Sequence, residues 1–188
     1  MHKELAPLIK KIEQWKKKKN IIDIVLFGSS MRGKMIPRDI DVCIMISDSA
    51  EEQSLELMDS LGKICDKEEK KIHITMLTAS AGIQGNTLIK TLLEEGYSIV
   101  HKKDFAQVWG YQRKTLFRYS LKHFSPSQRV RFHYLLNGRY GMRGILKEVN
   151  GKLMGAGTIE VSTKKEDVLE GILKQWNVPH TLQRVLWS

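Results

Sequence analysis

Two short apolar runs dominate the first part of the chain, at residues 21–27 and 39–47. The first is largely apolar, and in the second Asp39-Ile40-Asp41 runs straight into Val42-Cys43-Ile44-Met45-Ile46, an apolar run that reads as a buried strand. Residues 2–19 repeat Leu5, Leu8, Ile9, Ile12 and Trp15 at helical spacing, with Pro7 tolerated in a first turn. A second helical pattern covers 51–67 through Leu55, Leu57, Met58, Leu61 and Ile64, and a third covers 86–95, stopped by Gly96. Residues 71–77 alternate and predict a third strand, and 97–101 a short fourth. Strands alternating with helices predict an α/β (α+β) layered unit over residues 1–103.

The pattern changes near Lys102-Lys103-Asp104. Residues 105–122 read as a helix. Ser125-Pro126 reads as an N-cap followed by proline at the first helical position, opening a helix that Gly138 ends. A short helix is expected over 142–150. A β-α-β element follows: a strand at 158–161, a helix capped by Ser162 or Thr163 and running to Trp176, and a strand at 181–187. Residues 104–188 are therefore expected to form a second domain, a basic helical segment followed by this β-α-β piece.

Composition sharpens this picture. The 188 residues are 41% hydrophobic, which suits a globular core, and carry a formal net charge of +10. No apolar run approaches the ~20 residues of a membrane span, and Met1-His2-Lys3-Glu4 has no signal-peptide pattern, so a cytoplasmic protein with no membrane partner is expected. Cys43 and Cys65 are too few for a disulfide framework and read as small buried side chains. The positive charge is concentrated. Residues 105–147 contain no acid but hold Arg113, Lys114, Arg118, Lys122, Arg129, Arg131, Arg139, Arg143 and Lys147, with nine of the chain's fourteen aromatics. On a helix, Lys114, Arg118 and Lys122 would form one stripe. Unbalanced cations interleaved with aromatics suit a phosphate backbone and stacked bases. This makes Lys114, Arg118, Lys122, Arg129, Arg131, Arg139 and Arg143 candidate contacts to RNA or DNA. Tyr134 and Tyr140 are candidate stacking platforms.

The chemistry-bearing motif is Gly28-Ser29-Ser30-Met31-Arg32-Gly33 followed by Asp39-Ile40-Asp41. Alternate residues of a strand share a face, so Asp39 and Asp41 converge on one spot. Paired carboxylates plus substrate phosphates are the usual way to hold Mg²⁺. A helical turn starting at Ser29 or Ser30 would offer free N–H groups to a phosphate, with Gly28 allowing close approach.

The order and spacing of Gly28, Ser29, Arg32, Gly33, Asp39 and Asp41 resemble the polymerase-beta-like nucleotidyltransferase superfamily, in particular its small stand-alone members, here with an extra C-terminal domain. The resemblance implies a mixed sheet with helices on one face. It implies catalytic, metal-binding roles for Asp39 and Asp41 with Mg²⁺ or Mn²⁺. Gly28, Ser29, Arg32 and Gly33 would bind a nucleoside triphosphate (NTP), with charge added from Lys34 or Arg38. The expected reaction moves a nucleoside monophosphate to a nucleic acid or protein acceptor. One departure stands out. Active members place a third carboxylate on the neighbouring strand, whereas residues 71–76 offer His73 and Thr75 and no acid. A catalytically silent nucleic-acid-binding protein and an antitoxin-like protein adenylyltransferase are therefore the alternatives.

Overall fold

A computed structural model describes residues 5–16, 21–31, 39–65, 71–80 and 87–188. The chain divides into two compact units, Met1–Gly110 and Tyr111–Ser188.

The first unit is a five-stranded mixed sheet in the order β3-β2-β1-β4-β5. The strands are β1 (Asp23–Phe27), β2 (Asp39–Ile46), β3 (Lys71–Thr78), β4 (Tyr97–Ser98) and β5 (Lys103–Asp104). β1 runs antiparallel to β2 and β4, while β3 runs parallel to β2. The two apolar runs of the sequence are the two inner strands. Helices cover both faces, which corrects the expectation of one. Alternation along β2 explains why. Ile40, Val42, Ile44 and Ile46 pack with Ile24 and Leu26 against α1 (Ala6–Lys16) and α2 (Ser54–Cys65). Cys43 and Met45 turn the other way, with Val25 and Leu77. They meet α3 (Thr87–Glu95) through Leu88, Ile89, Leu92 and Leu93, and α4 (Phe105–Val108) through Phe105. A strand covered on both sides has no polar face to spare.

The second unit is a four-stranded antiparallel sheet, β11-β6-β10-β9, built from β6 (Gln112–Tyr119), β9 (Lys152–Gly155), β10 (Thr158–Ser162) and β11 (His180–Trp187). Phe117, Ile159 and Val161 line one face and pack on α5 (Pro126–Asn137), α6 (Ile145–Glu148) and α7 (Glu166–Gln175) through Phe132, Leu136, Leu146, Leu169 and Leu173. The expected Ser125 cap is present as a capping box: its hydroxyl accepts from Gln128 N–H at 3.3 Å, and its own N–H donates to Gln128 Oε1 at 2.8 Å. The β-α-β piece is β10, α7 and β11.

Three local expectations are corrected here. Residues 105–122 are not one helix: α4 ends after a single turn, Gly110 adopts φ +82°, and β6 follows. β6 is hydrogen-bonded on both sides, to β10 and β11, and its Thr115 and Phe117 are buried while Lys114 and Arg118 face the other way. Tertiary pairing thus overrides the helical spacing of the cations, because residues four apart also share a face of a strand. Within residues 142–150 only Ile145–Glu148 is helical. Met142–Arg143 is β8, paired with β7 (Gly138–Arg139) in a hairpin. β9 was not expected, since its glycine-flanked segment carries no strand pattern. Among the described residues no helix is long and apolar enough to cross a membrane.

Candidate functional site

The candidate site forms where β1 ends and β2 begins. Asp39 and Asp41 are the first two residues of β2 on the face that further along carries Cys43 and Met45. On this face the helix-covered core starts only at Cys43, although Ile40 on the opposite face is already buried. The two carboxylates therefore occupy the part of that face which α3 and α4 leave open, and both are half-buried. Phe27 pairs with Asp41 across the β1–β2 ladder, and the chain then enters a helical turn over Gly28–Met31.

Gly28 is where this turn demands glycine. Its φ is +73°, a left-handed conformation that L side chains adopt at a cost. A Cβ there would also run into the Asp41 carboxylate, whose Oδ2 lies over the glycine. Backbone and carboxylate are thus in direct apposition at the end of β1. On its other side Asp41 meets β3. The parallel register sets His73 beside Asp41, and His73 Nδ1 stands 3.4 Å from Asp41 Oδ1. The imidazole is 47% exposed and the carboxylate 29%, so both remain open to a ligand. Thr75 lies beside Cys43, two residues further along and exposed. Lys71 takes the register position beside Asp39, a cation that motif reading passed over. Its signal was there in the alternation of residues 71–77, which puts Lys71, His73 and Thr75 on one face.

The donor set fits a hard divalent cation. Two carboxylates on one strand face would supply part of the oxygen shell, and a bound ligand would have to supply the rest. Among the described residues no three acidic, histidine or cysteine side chains gather into a complete shell, so a cation here would need the substrate to finish its coordination. Ser29 belongs to the helical turn. Arg32, Gly33, Lys34 and Arg38 lie outside the described residues. Cys43, next on the same face, is not a reactive thiol: burial, and then the Asp23 charge, push its pKa up to about 12.

The second-unit cations are distributed differently from the expected stripe. Lys114 is not unbalanced: its Nζ is 3.2 Å from Glu160 Oε1, on the neighbouring strand β10. Arg118 shares that face of β6 and is exposed, while Lys122 falls beyond the strand. Arg129 Nε donates to the Phe124 carbonyl and its Nη2 to the Lys122 carbonyl, fastening the loop before α5. Arg131 is exposed on α5, and Arg139 and Arg143 sit in the β7–β8 hairpin.

A solved structure described as "Crystal structure of the toxin-antitoxin with AMP-PNP" is similar at 19% identity, covering 48% of this chain and 71% of that one, with a TM-score of 0.35. No curated protein matches the chain. Residues 10–105 match the family described as "Polymerase beta, Nucleotidyltransferase", a span that takes in Gly28, Asp39, Asp41 and His73. That span is just over half of the chain, which therefore belongs to the Polymerase beta, Nucleotidyltransferase family.

Proposed function

We propose that the protein transfers a nucleoside monophosphate from a nucleoside triphosphate to an acceptor hydroxyl on a nucleic acid or protein. The observation that carries this reading is the seat of Asp41, set between the Gly28 backbone and the His73 imidazole with Asp39 on the same strand face. The acceptor oxygen bonds to the α-phosphorus, the bond from that phosphorus to the β-bridging oxygen breaks, and pyrophosphate leaves. Such a reaction asks the protein for position and charge more than for covalent chemistry. Asp39 and Asp41 would hold Mg²⁺ or Mn²⁺, which when bound neutralises the triphosphate and the departing pyrophosphate. The Gly28 turn admits the phosphates to the backbone, and Lys71 supplies charge at the Asp39 end. With Nδ1 turned toward Asp41, Nε2 is the His73 nitrogen left to meet the acceptor hydroxyl and take its proton.

The test is label transfer from α-labelled triphosphates with Mg²⁺ or Mn²⁺, offering RNA, DNA or extract protein as acceptor. Asp41→Asn and Asp39→Asn are each expected to lower transfer by about 10²–10³-fold. Transfer unchanged in both would remove the assignment. A second reading is nucleotide binding without turnover, favoured by the lack of any acidic side chain on β3. It predicts cation-dependent nucleotide binding, lost in Asp41→Asn, with no labelled product from any acceptor.

A further inference from the structure

The residues proposed for nucleotide transfer include none from the surface formed by α5 and the hairpin that follows it. Helices of globular domains ordinarily hide an apolar stripe. α5 buries Phe132 and Leu136 but leaves Val130 51% and Tyr134 37% exposed, together with Arg129, Arg131 and His133, and it contains no acid. Beside it an open concavity of about 570 Å³ is lined by Tyr119, Arg129, Val130, His133, Tyr134 and Leu153 among others.

The β7–β8 hairpin continues from the end of α5. Arg139 and Met142 are paired, leaving Tyr140 and Gly141 as a two-residue turn with φ +47° and +82°. Two positive φ values in a two-residue hairpin make a type I′ turn, which favours Asn-Gly. Tyrosine at the first position is strained. No burial offsets that strain, since Tyr140 is 87% exposed. What the ring does meet is a cation. The Arg139 guanidinium lies 4.4 Å from the Tyr140 ring centre and 4.6 Å from that of Tyr134, and its Nη2 donates to the Tyr140 hydroxyl at 3.2 Å. Tyr134 also lines the concavity, so two rings, a planar cation and a hollow are contiguous. Arg131 and Arg143 are exposed on the same helix and hairpin and make no ion pair among the described residues.

We propose that this surface binds single-stranded nucleic acid. One base stacks on Tyr140 and Arg139, its neighbour lies on Tyr134 at the concavity, and Arg131 and Arg143 meet the phosphates. Aromatic and guanidinium planes accept the face of any base, and nearby cations follow the backbone. A ring at a hairpin tip reaches only an unstacked base, which selects a single strand over a duplex. An acidic peptide would satisfy the cations but make no use of the exposed ring of Tyr140. The inference rests on second-unit residues alone, and its test needs neither nucleotide nor metal.

The measurement is fluorescence anisotropy of a short labelled single strand, RNA or DNA, and of the matching duplex, titrated with the full-length protein. The single strands are expected to bind more tightly than the duplex and to compete for one site. Tyr140→Asn, which installs the residue a type I′ turn prefers and so keeps the hairpin, is expected to weaken binding about 5- to 30-fold. Tyr140→Phe should bind like the parent. Arg139→Ala should lose affinity and flatten the dependence of log K on log salt by about one unit. Unchanged binding in Tyr140→Asn, duplex bound as well as single strand, or displacement by polyglutamate as efficient as by unlabelled oligonucleotide would each overturn the proposal.

Discussion

The two sheets of this protein are covered differently, and the difference decides where charge can sit. In the first unit helices lie on both faces, so β1 from Asp23 to Leu26 and the inner part of β2 are buried. Charge enters β2 only at Asp39 and Asp41, before the cover of α3 and α4 begins. In the second unit helices pack on one face, and β6 alternates buried Thr115 and Phe117 with Lys114 and Arg118. Its other face carries the Lys114–Glu160 pair. A doubly covered sheet thus concentrates its polar chemistry at a strand end, while a singly covered one spreads it along a face.

The contrast predicts unequal sensitivity to substitution. The largest effect is expected at Gly28. Gly28→Val combines a left-handed backbone with a collision against Asp41, and should cost about 3 kcal/mol in denaturant unfolding and abolish cation-dependent nucleotide binding. A variant with parental stability and binding would show that the turn is not constrained as described. Next is Glu166, buried in the second unit. Its carboxylate accepts from Arg184 Nε at 3.0 Å and Nη2 at 2.8 Å, and from Thr115 Oγ1 at 2.7 Å. Glu166→Ala removes the acceptor of all three hydrogen bonds and should cost about 2 kcal/mol, Arg184 being half in solvent. Hydrogen exchange in β6 and β11 would register it, with the first unit unaffected.

Acid should separate the units further. The Arg184 hydrogen bonds hold the Glu166 carboxyl below its ordinary 4.5. The stability it contributes is complete above that value and is lost as pH falls through the folded-state pKa. Asp23 behaves oppositely. It is buried, Ser98 and the Ile24 N–H both donate to Oδ1, and Oδ2 meets no hydrogen-bond donor at bonding geometry among the described residues. Burial raises it above its ordinary 3.8, so it binds its proton more tightly in the folded state, and stability declines as pH rises through that window. Acidification is therefore expected to lower exchange protection in the second unit first, and Glu166→Gln to remove that sensitivity. An unchanged pH profile in Glu166→Gln would contradict it. The smallest effect belongs to Lys114. Its partly exposed pair with Glu160 should be worth about 1 kcal/mol or less, read from a double-mutant cycle with Glu160→Gln.

The same difference in cover explains what could be read in advance. β1 and β2 were legible because double burial leaves apolar runs at Ile24–Phe27 and Val42–Ile46. Gly28, Asp39 and Asp41 were legible because a turn and a strand end are local features. The alternation of residues 71–77 put His73 and Thr75 on one face, but which of them stands beside Asp41 is a matter of register between strands. The amphipathic pattern of α3 marked a buried stripe without saying which sheet face it covers. β6 misled because its cations at positions 114 and 118 satisfy helix and strand alike. Lys114 looked unbalanced because its partner Glu160 belongs to another strand, where counting acids within one segment cannot find it.

The parallel pairing of β2 with β3 carries a kinetic consequence. Antiparallel β1 and β2 bring Gly28 and Asp41 together through local ladder contacts, but β3 reaches β2 only after a crossover through α2 has closed. A slip of one residue in that docking would set Ile72 or Ile74 beside Asp41 in place of His73. On that topology the place of the imidazole beside Asp41 is expected to form later than the Gly28–Asp41 contact, and a chain caught short of that step would carry the acidic pair without its neighbour.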